Sequence, residues 1–173
     1  FDDATTASAT FSDTLPITTG GDTPVTVDFA AMDTLTGTVG QEDVTYGWSA
    51  GVLTAVITGG DRDGLTLFTV QVTDATTGAY TVTLARNVIH AQGPNNENAV
   101  DPTVELTYTV TDSDLSTASS TLTVSFDDDE PTAVDLGSLA APITVGEGQS
   151  TPEGSLSFAG GADGATVTHV NDV

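Results

Sequence analysis

Along this chain apolar and polar residues alternate with a period of two, in run after run, and that is the pattern of strands with one buried face. The run 24–29 is the first clear one. Val44, Tyr46 and Trp48 share a face of the next, and Leu53, Ala55 and Ile57 a face of another. Over 65–73, Phe68, Val70 and Val72 point one way while Thr69, Gln71 and Thr73 point the other. Thr76, Thr77 and Gly78 form a turn, after which Tyr80, Val82 and Leu84 return; this predicts a hairpin with Gly78 supplying a positive φ. Val104, Leu106, Tyr108 and Val110 form a late run, and Leu122, Val124 and Phe126 the last. About eight strands separated by turn signals predict an all-β fold, an antiparallel immunoglobulin-like β-sandwich. Tyr46 and Trp48 are expected in its core rather than on a ligand platform.

Charge constrains the function classes. The chain has 173 residues, 25 acidic and only 2 basic side chains, and a net charge of −23. Arg62 and Arg86 are its only permanent cations, and there is no lysine. Nucleic acid is excluded as a partner, because phosphate binding needs a basic footprint. An anionic membrane surface would repel the chain, and no stretch is long and apolar enough to insert. So many carboxylates repel one another in the compact state unless a counter-charge is supplied. Divalent metal is one source of that charge; the alternative is a solvated acidic surface. Cysteine is absent, so no disulfide framework forms.

Phe-Asp-Asp occurs twice, at Phe1, Asp2, Asp3 and at Phe126, Asp127, Asp128, where Asp129, Glu130 and Pro131 extend it. Phe29 and Phe158 occupy comparable places after the two copies. This reads as the seam of a tandem repeat. Residues 1–126 are expected to form one β-sandwich repeat module. Residues 127–173 are then an acidic linker and the N-terminal part of a second β module, or strands completing a neighbouring sheet, with strands expected at 141–145, 154–158 and 165–170. The chain reads as a piece of a longer polypeptide. Between 91 and 103 the alternation lapses into a long polar loop.

Three acidic clusters could carry chemistry. One is the seam: Asp2, Asp3, Asp127, Asp128, Asp129 and Glu130. The second is the turn with Asp112 and Asp114. The third is Asp61, Arg62, Asp63. Calcium takes six to eight hard oxygens from carboxylates, carbonyls and water. An Asp-x-Asp turn can aim two carboxylates at one point, so Asp112, Asp114 and the seam are the candidate metal ligands. No EF-hand pattern is present. For Asp61 and Asp63 ordinary turn capping is expected, with Arg62 a surface charge. Zinc is disfavoured, since His90 and His169 lie far apart and no cysteine accompanies them. His90 is expected to pack or to hydrogen-bond a loop. No nucleophile elbow or other catalytic constellation is present, so an enzyme is not expected.

Leu67, Phe68, Thr69, Val70, the hairpin from Thr76 to Leu84, and Val88, Ile89, His90 together resemble a known repeat. So do the segment from Leu106 to Asp114 and the one from Thr121 to Pro131. They are similar to the repeat modules of giant type I-secreted RTX adhesins of Gram-negative bacteria. The resemblance implies a calcium-rigidified module on a surface fibre, extracellular and attached to the bacterial cell surface, that supports adhesion and biofilm formation. Its partners would be neighbouring modules of the same chain. Such modules often carry Asp-x-Asp-Gly-Asp at the 112 turn, where this chain has Leu115 and Ser116 in the last two places. A second reading is a ligand-binding module near the adhesin tip, with a host or bacterial surface glycan or peptide held by Asn95, Asn96, Glu97, Asn98 and Asp101.

Overall fold

The computed structural model describes residues 9–18, 21–89 and 101–126, and the backbone of 132–133 and 158–159. Nine strands make up the first three stretches: β1 Ala9–Thr14, β2 Thr26–Asp28, β3 Thr36–Val39, β4 Glu42–Ser49, β5 Val52–Ile57, β6 Thr66–Asp74, β7 Ala79–Leu84, β8 Thr103–Thr111 and β9 Thr117–Ser125. One turn of 3-10 helix, Ala30–Met32, follows β2. There is no α-helix among the described residues.

The strands form two antiparallel sheets. The larger runs β1-β7-β6-β5-β4-β3, and the smaller runs β2-β8-β9. Each of β3 to β6 pairs with its successor in sequence, so the large sheet is a meander from β3 to β7 closed on one side by β1. The facing sides of the sheets supply one core. Phe29, Val44, Leu53, Phe68, Val70, Leu106 and Tyr108 are all buried in it. Burying one such large apolar side chain contributes about 1.5–3 kcal/mol. The fold is therefore the antiparallel β-sandwich that the alternation predicts.

Details differ from the periodic reading. Leu67 and Phe68 are both buried although adjacent, because a register shift opposite Ala55 and Val56 inserts one extra residue into β6. β1 and β3 were invisible to the pattern. Both lie at sheet edges, where few side chains are buried and alternation carries little apolar signal. In β3 one inward position is Gly37, against which the Tyr46 ring packs. Tyr46 is buried and Trp48 packs half-buried against the core, its ring 6.0 Å from that of Phe29. Gly78 has φ 77° in the β6–β7 turn, as the hairpin reading requires.

Register fixes which strand ends lie together. Ala9 pairs with Leu84, and Leu84 with Phe68, whose ring lies 5.4 Å from that of Phe126. Thus the start of β1 and the end of β9 share one end of the sandwich. At the other end Leu15 bonds Gly78, Val27 bonds Ala75, and Thr26 pairs with Thr111. Beyond this body, Thr132–Ala133 (β10) pairs antiparallel with Phe158–Ala159 (β11). The strands expected at 141–145 and 165–170, and most of 154–158, lie outside the described residues.

Candidate metal centre

Asp112 follows β8 directly, and the chain reverses through 112–116 into β9. The Asp112 carboxylate organises this turn. Its Oδ1 accepts from the backbone N–H of Asp114 at 3.2 Å and of Ser116 at 2.9 Å. Asp114 Oδ1 accepts from the same Ser116 N–H at 3.1 Å. The backbone closes the loop, with Asp112 N–H donating to Ser116 O and Leu115 N–H to Asp112 O. These bonds hold both carboxylates on one side of the turn. Leu115 then adopts φ 72° with its side chain 79% exposed. That left-handed position is where glycine carries no steric cost.

A third carboxylate comes from far away in sequence. Asp22 lies in the loop between β1 and β2. Because Thr26 pairs with Thr111, the chain just before β2 passes beside the chain just after β8. Carboxylate oxygens of Asp22, Asp112 and Asp114 lie within 4.8 Å of one another. Asp22 and Asp114 are exposed and Asp112 half-buried. Sequence reasoning missed Asp22. Its only local sign is an acid in a Gly-Gly-Asp-Thr-Pro turn; its meeting with Asp112 depends on a strand pairing that no local pattern reveals.

Three carboxylates this close repel one another, and a cation among them would relieve that repulsion. The hydrogen bond from Asp114 holds the Asp112 carboxyl above the ordinary carboxylate range, with desolvation adding to the rise. The same bond, seen from the other partner, holds Asp114 below that range. A hard divalent cation would offset the charge of all three. The donors are all carboxylate oxygens, which suits calcium; backbone carbonyls and water would complete six to eight ligands.

Neither arginine is available to neutralise this cluster. Arg62 was expected on the surface as a free charge; instead its side chain is only 19% exposed. It pairs with Glu42 at 3.3 Å and donates to the Asn87 carbonyl at 2.8 Å and side chain at 3.3 Å. The reason is that β4 begins with an inward-leaning Glu42, only 12% exposed, which draws the guanidinium in. Arg86 donates to the Thr66 carbonyl at 2.8 Å. Asp63 behaves as turn chemistry requires, accepting from Gly59 N–H at 2.7 Å.

Asp2, Asp3, Asp127, Asp128, Asp129 and Glu130 lie outside the described residues, as do Asn95, Asn96, Glu97, Asn98, His90 and His169. Asp101 is half-buried just before β8. Phe126, from which the second acidic run departs, sits at the opposite end of the β8–β9 hairpin from the Asp112 turn. The nine residues of β9 separate them by roughly 30 Å. The expected joint of the seam with the Asp112 turn involves Asp127 to Glu130 and so lies outside the described residues.

A family described as a domain of unknown function, DUF5801, matches residues 1–125. The chain belongs to that family. The DUF5801 span includes all nine strands of the sandwich together with Asp22, Asp112 and Asp114. No curated protein and no solved structure matches the chain.

Proposed function

We propose that this chain is a calcium-stabilised extracellular module of a large bacterial adhesin of the RTX type, working as a stiff spacer in cell adhesion and biofilm formation. The observation that carries the reading is the convergence of Asp22, Asp112 and Asp114 from two distant segments. An ion held there would bind the β1–β2 loop to the β8–β9 turn and cross-brace the two sheets at that end. The formal charge of −23, with both arginines engaged in other contacts, supplies the electrostatic motive. The repeated Phe-Asp-Asp and the resemblance of 67–90 and 106–131 to adhesin repeats support the spacer role.

Thermal unfolding with excess calcium and with excess EGTA tests the metal. A ligand that binds only the folded state must raise the midpoint, here by roughly 3–8 °C for millimolar calcium. An unchanged midpoint would sink the calcium reading.

A further inference from the structure

The two sheets are unequal, and the smaller one stops short on the β1 side. Phe11 lies on β1, where only Ala9 is half-buried, and is itself 49% exposed. Beside it is a crevice of about 220 Å³, walled by Phe11, Tyr80 and Val82 of the large sheet and by Leu122 and Val124 of β9. β9 is the edge of the small sheet and pairs only with β8 among the described residues. Edges of this length normally carry a charge, a proline or a bulge that deters pairing. β9 reads Thr-Ala-Ser-Ser-Thr-Leu-Thr-Val-Ser and has none of these, in a chain crowded with carboxylates.

The backbone groups of this edge that do not bond to β8 can be assigned. Phe126 N–H donates to Pro102 O, and the β8–β9 register runs without a shift from Thr103 opposite Ser125 to Thr111 opposite Thr117. Hydrogen-bonded pairs alternate in an antiparallel ladder. Even-numbered residues of β9 therefore bond to β8, and Ser119, Thr121, Thr123 and Ser125 turn their N–H and C=O groups outward. A strand added there, about 4.8 Å from β9, would extend the small sheet over Phe11.

We propose that the β9 edge is a β-augmentation site for an extended segment of a partner protein, apolar at alternate positions and carrying Lys or Arg at the others. The apolar side chains would enter the crevice over Phe11 and Leu122. The preference for cationic residues follows from charge. Asp13 pairs across from Tyr80 at the crevice, Glu105 lies one strand beyond Thr123, and the module bears −23 overall. A second copy of this chain, or an acidic strand, meets that same charge as repulsion. The proposal does not rest on the calcium reading, since the crevice and the Asp112 turn are different surfaces.

The test is amide hydrogen exchange of the whole chain, by NMR, with a short blocked peptide of alternating Val and Lys. The expected result is slowing of about tenfold or more at Ser119, Thr121, Thr123 and Ser125, with the β8-bonded amides of Leu122 and Val124 unchanged. Thr121→Pro should abolish it while sparing the β8 ladder, because the Thr121 N–H faces away from β8; Thr121→Val should retain it. Should the proline variant unfold, Phe11→Ala is the second variant and should weaken binding severalfold. Equal slowing by a peptide with the same residues in blocks would show charge attraction alone and overturn the proposal. So would outward amides already slow in the free monomer, which would mean that the chain's own residues hold the edge. A concentration-dependent dimer protecting the same amides would name a second copy instead and also overturn it.

Discussion

The two ends of the sandwich manage acidic charge in opposite ways. At the end holding the start of β4 and of β6, carboxylate is balanced from within: Arg62 meets Glu42, and both arginines tie 86–89 to neighbouring strands. Glycine completes the closure, since Gly40 sits at φ 60° against Ile89 and Gln41 N–H donates to Ile89 O at 2.7 Å. At the other end Asp22, Asp112 and Asp114 converge with no cationic side chain in the site. One end is closed by covalently supplied charge, and the other is left to whatever the solvent provides. The Arg62–Glu42 contacts should be indifferent to divalent ions and the Asp22, Asp112 and Asp114 cluster should depend on them.

The largest effect that tests this contrast is expected at the closed end. In Gly40→Ala the new Cβ would collide with the Ile89 carbonyl and come within 2.7 Å of Val88 Cγ1. Urea unfolding should show a loss of about 3 kcal/mol or more. Gly60→Ala, also at positive φ but with nothing within 4 Å, should lose only about 1 kcal/mol. Next comes Arg62→Met, which strands a buried Glu42 whose Oε2 already has no partner. It should cost about 2–3 kcal/mol, and adding Glu42→Leu should restore most of that. If Arg62→Met were harmless, the internal balance at this end would be illusory.

The open end gives smaller effects with a different signature. Asp112→Asn should remove most of the calcium-induced rise in melting temperature, whereas Arg62→Met should leave that rise intact. An equal loss in both would erase the contrast between the ends. Leu115→Gly should stabilise the protein by about 1 kcal/mol, because glycine takes φ 72° without a Cβ penalty. The smallest effect concerns Asp74, in the β6–β7 turn, whose carboxylate is held below the ordinary range by the Thr76 hydroxyl first and by the Thr76 and Thr77 amides. A depressed carboxylate stabilises the fold above its unfolded pKa, and that stability is lost as pH falls through the folded value. Thr76→Ala should therefore raise the Asp74 pKa in an NMR titration, and its destabilisation at neutral pH should fade in acid.

How much of this was legible in the sequence varies with the range of the interaction. Strands with a full buried face, such as β5 and β8, announce themselves by alternation, because every second residue must be apolar. Edge strands β1 and β3 bury too little to do so. The turn chemistry of Asp63, Asp112 and Gly78 is local and was readable from composition. Asp22 was not, because its partnership with Asp112 exists only once β2 has found β8. Nor was the inward lean of Arg62, which answers to Glu42 on another strand. The placement of Phe126 and the Asp112 turn at opposite ends of β9 follows from strand direction, which alternation does not encode.

That late meeting has a kinetic side. The β3–β7 meander is built from neighbours in sequence, whereas Thr26 and Thr111 are 85 residues apart. Local hairpins close fast and long-range pairings slowly. An ion shared by Asp22 and Asp112 would bind only after the long loop has closed, when the folding barrier is already crossed. Its effect would fall on the unfolding rate, leaving the folding rate nearly unchanged. On that reading calcium acts as a latch: it governs how long the closed sandwich lasts under load more than how readily it forms.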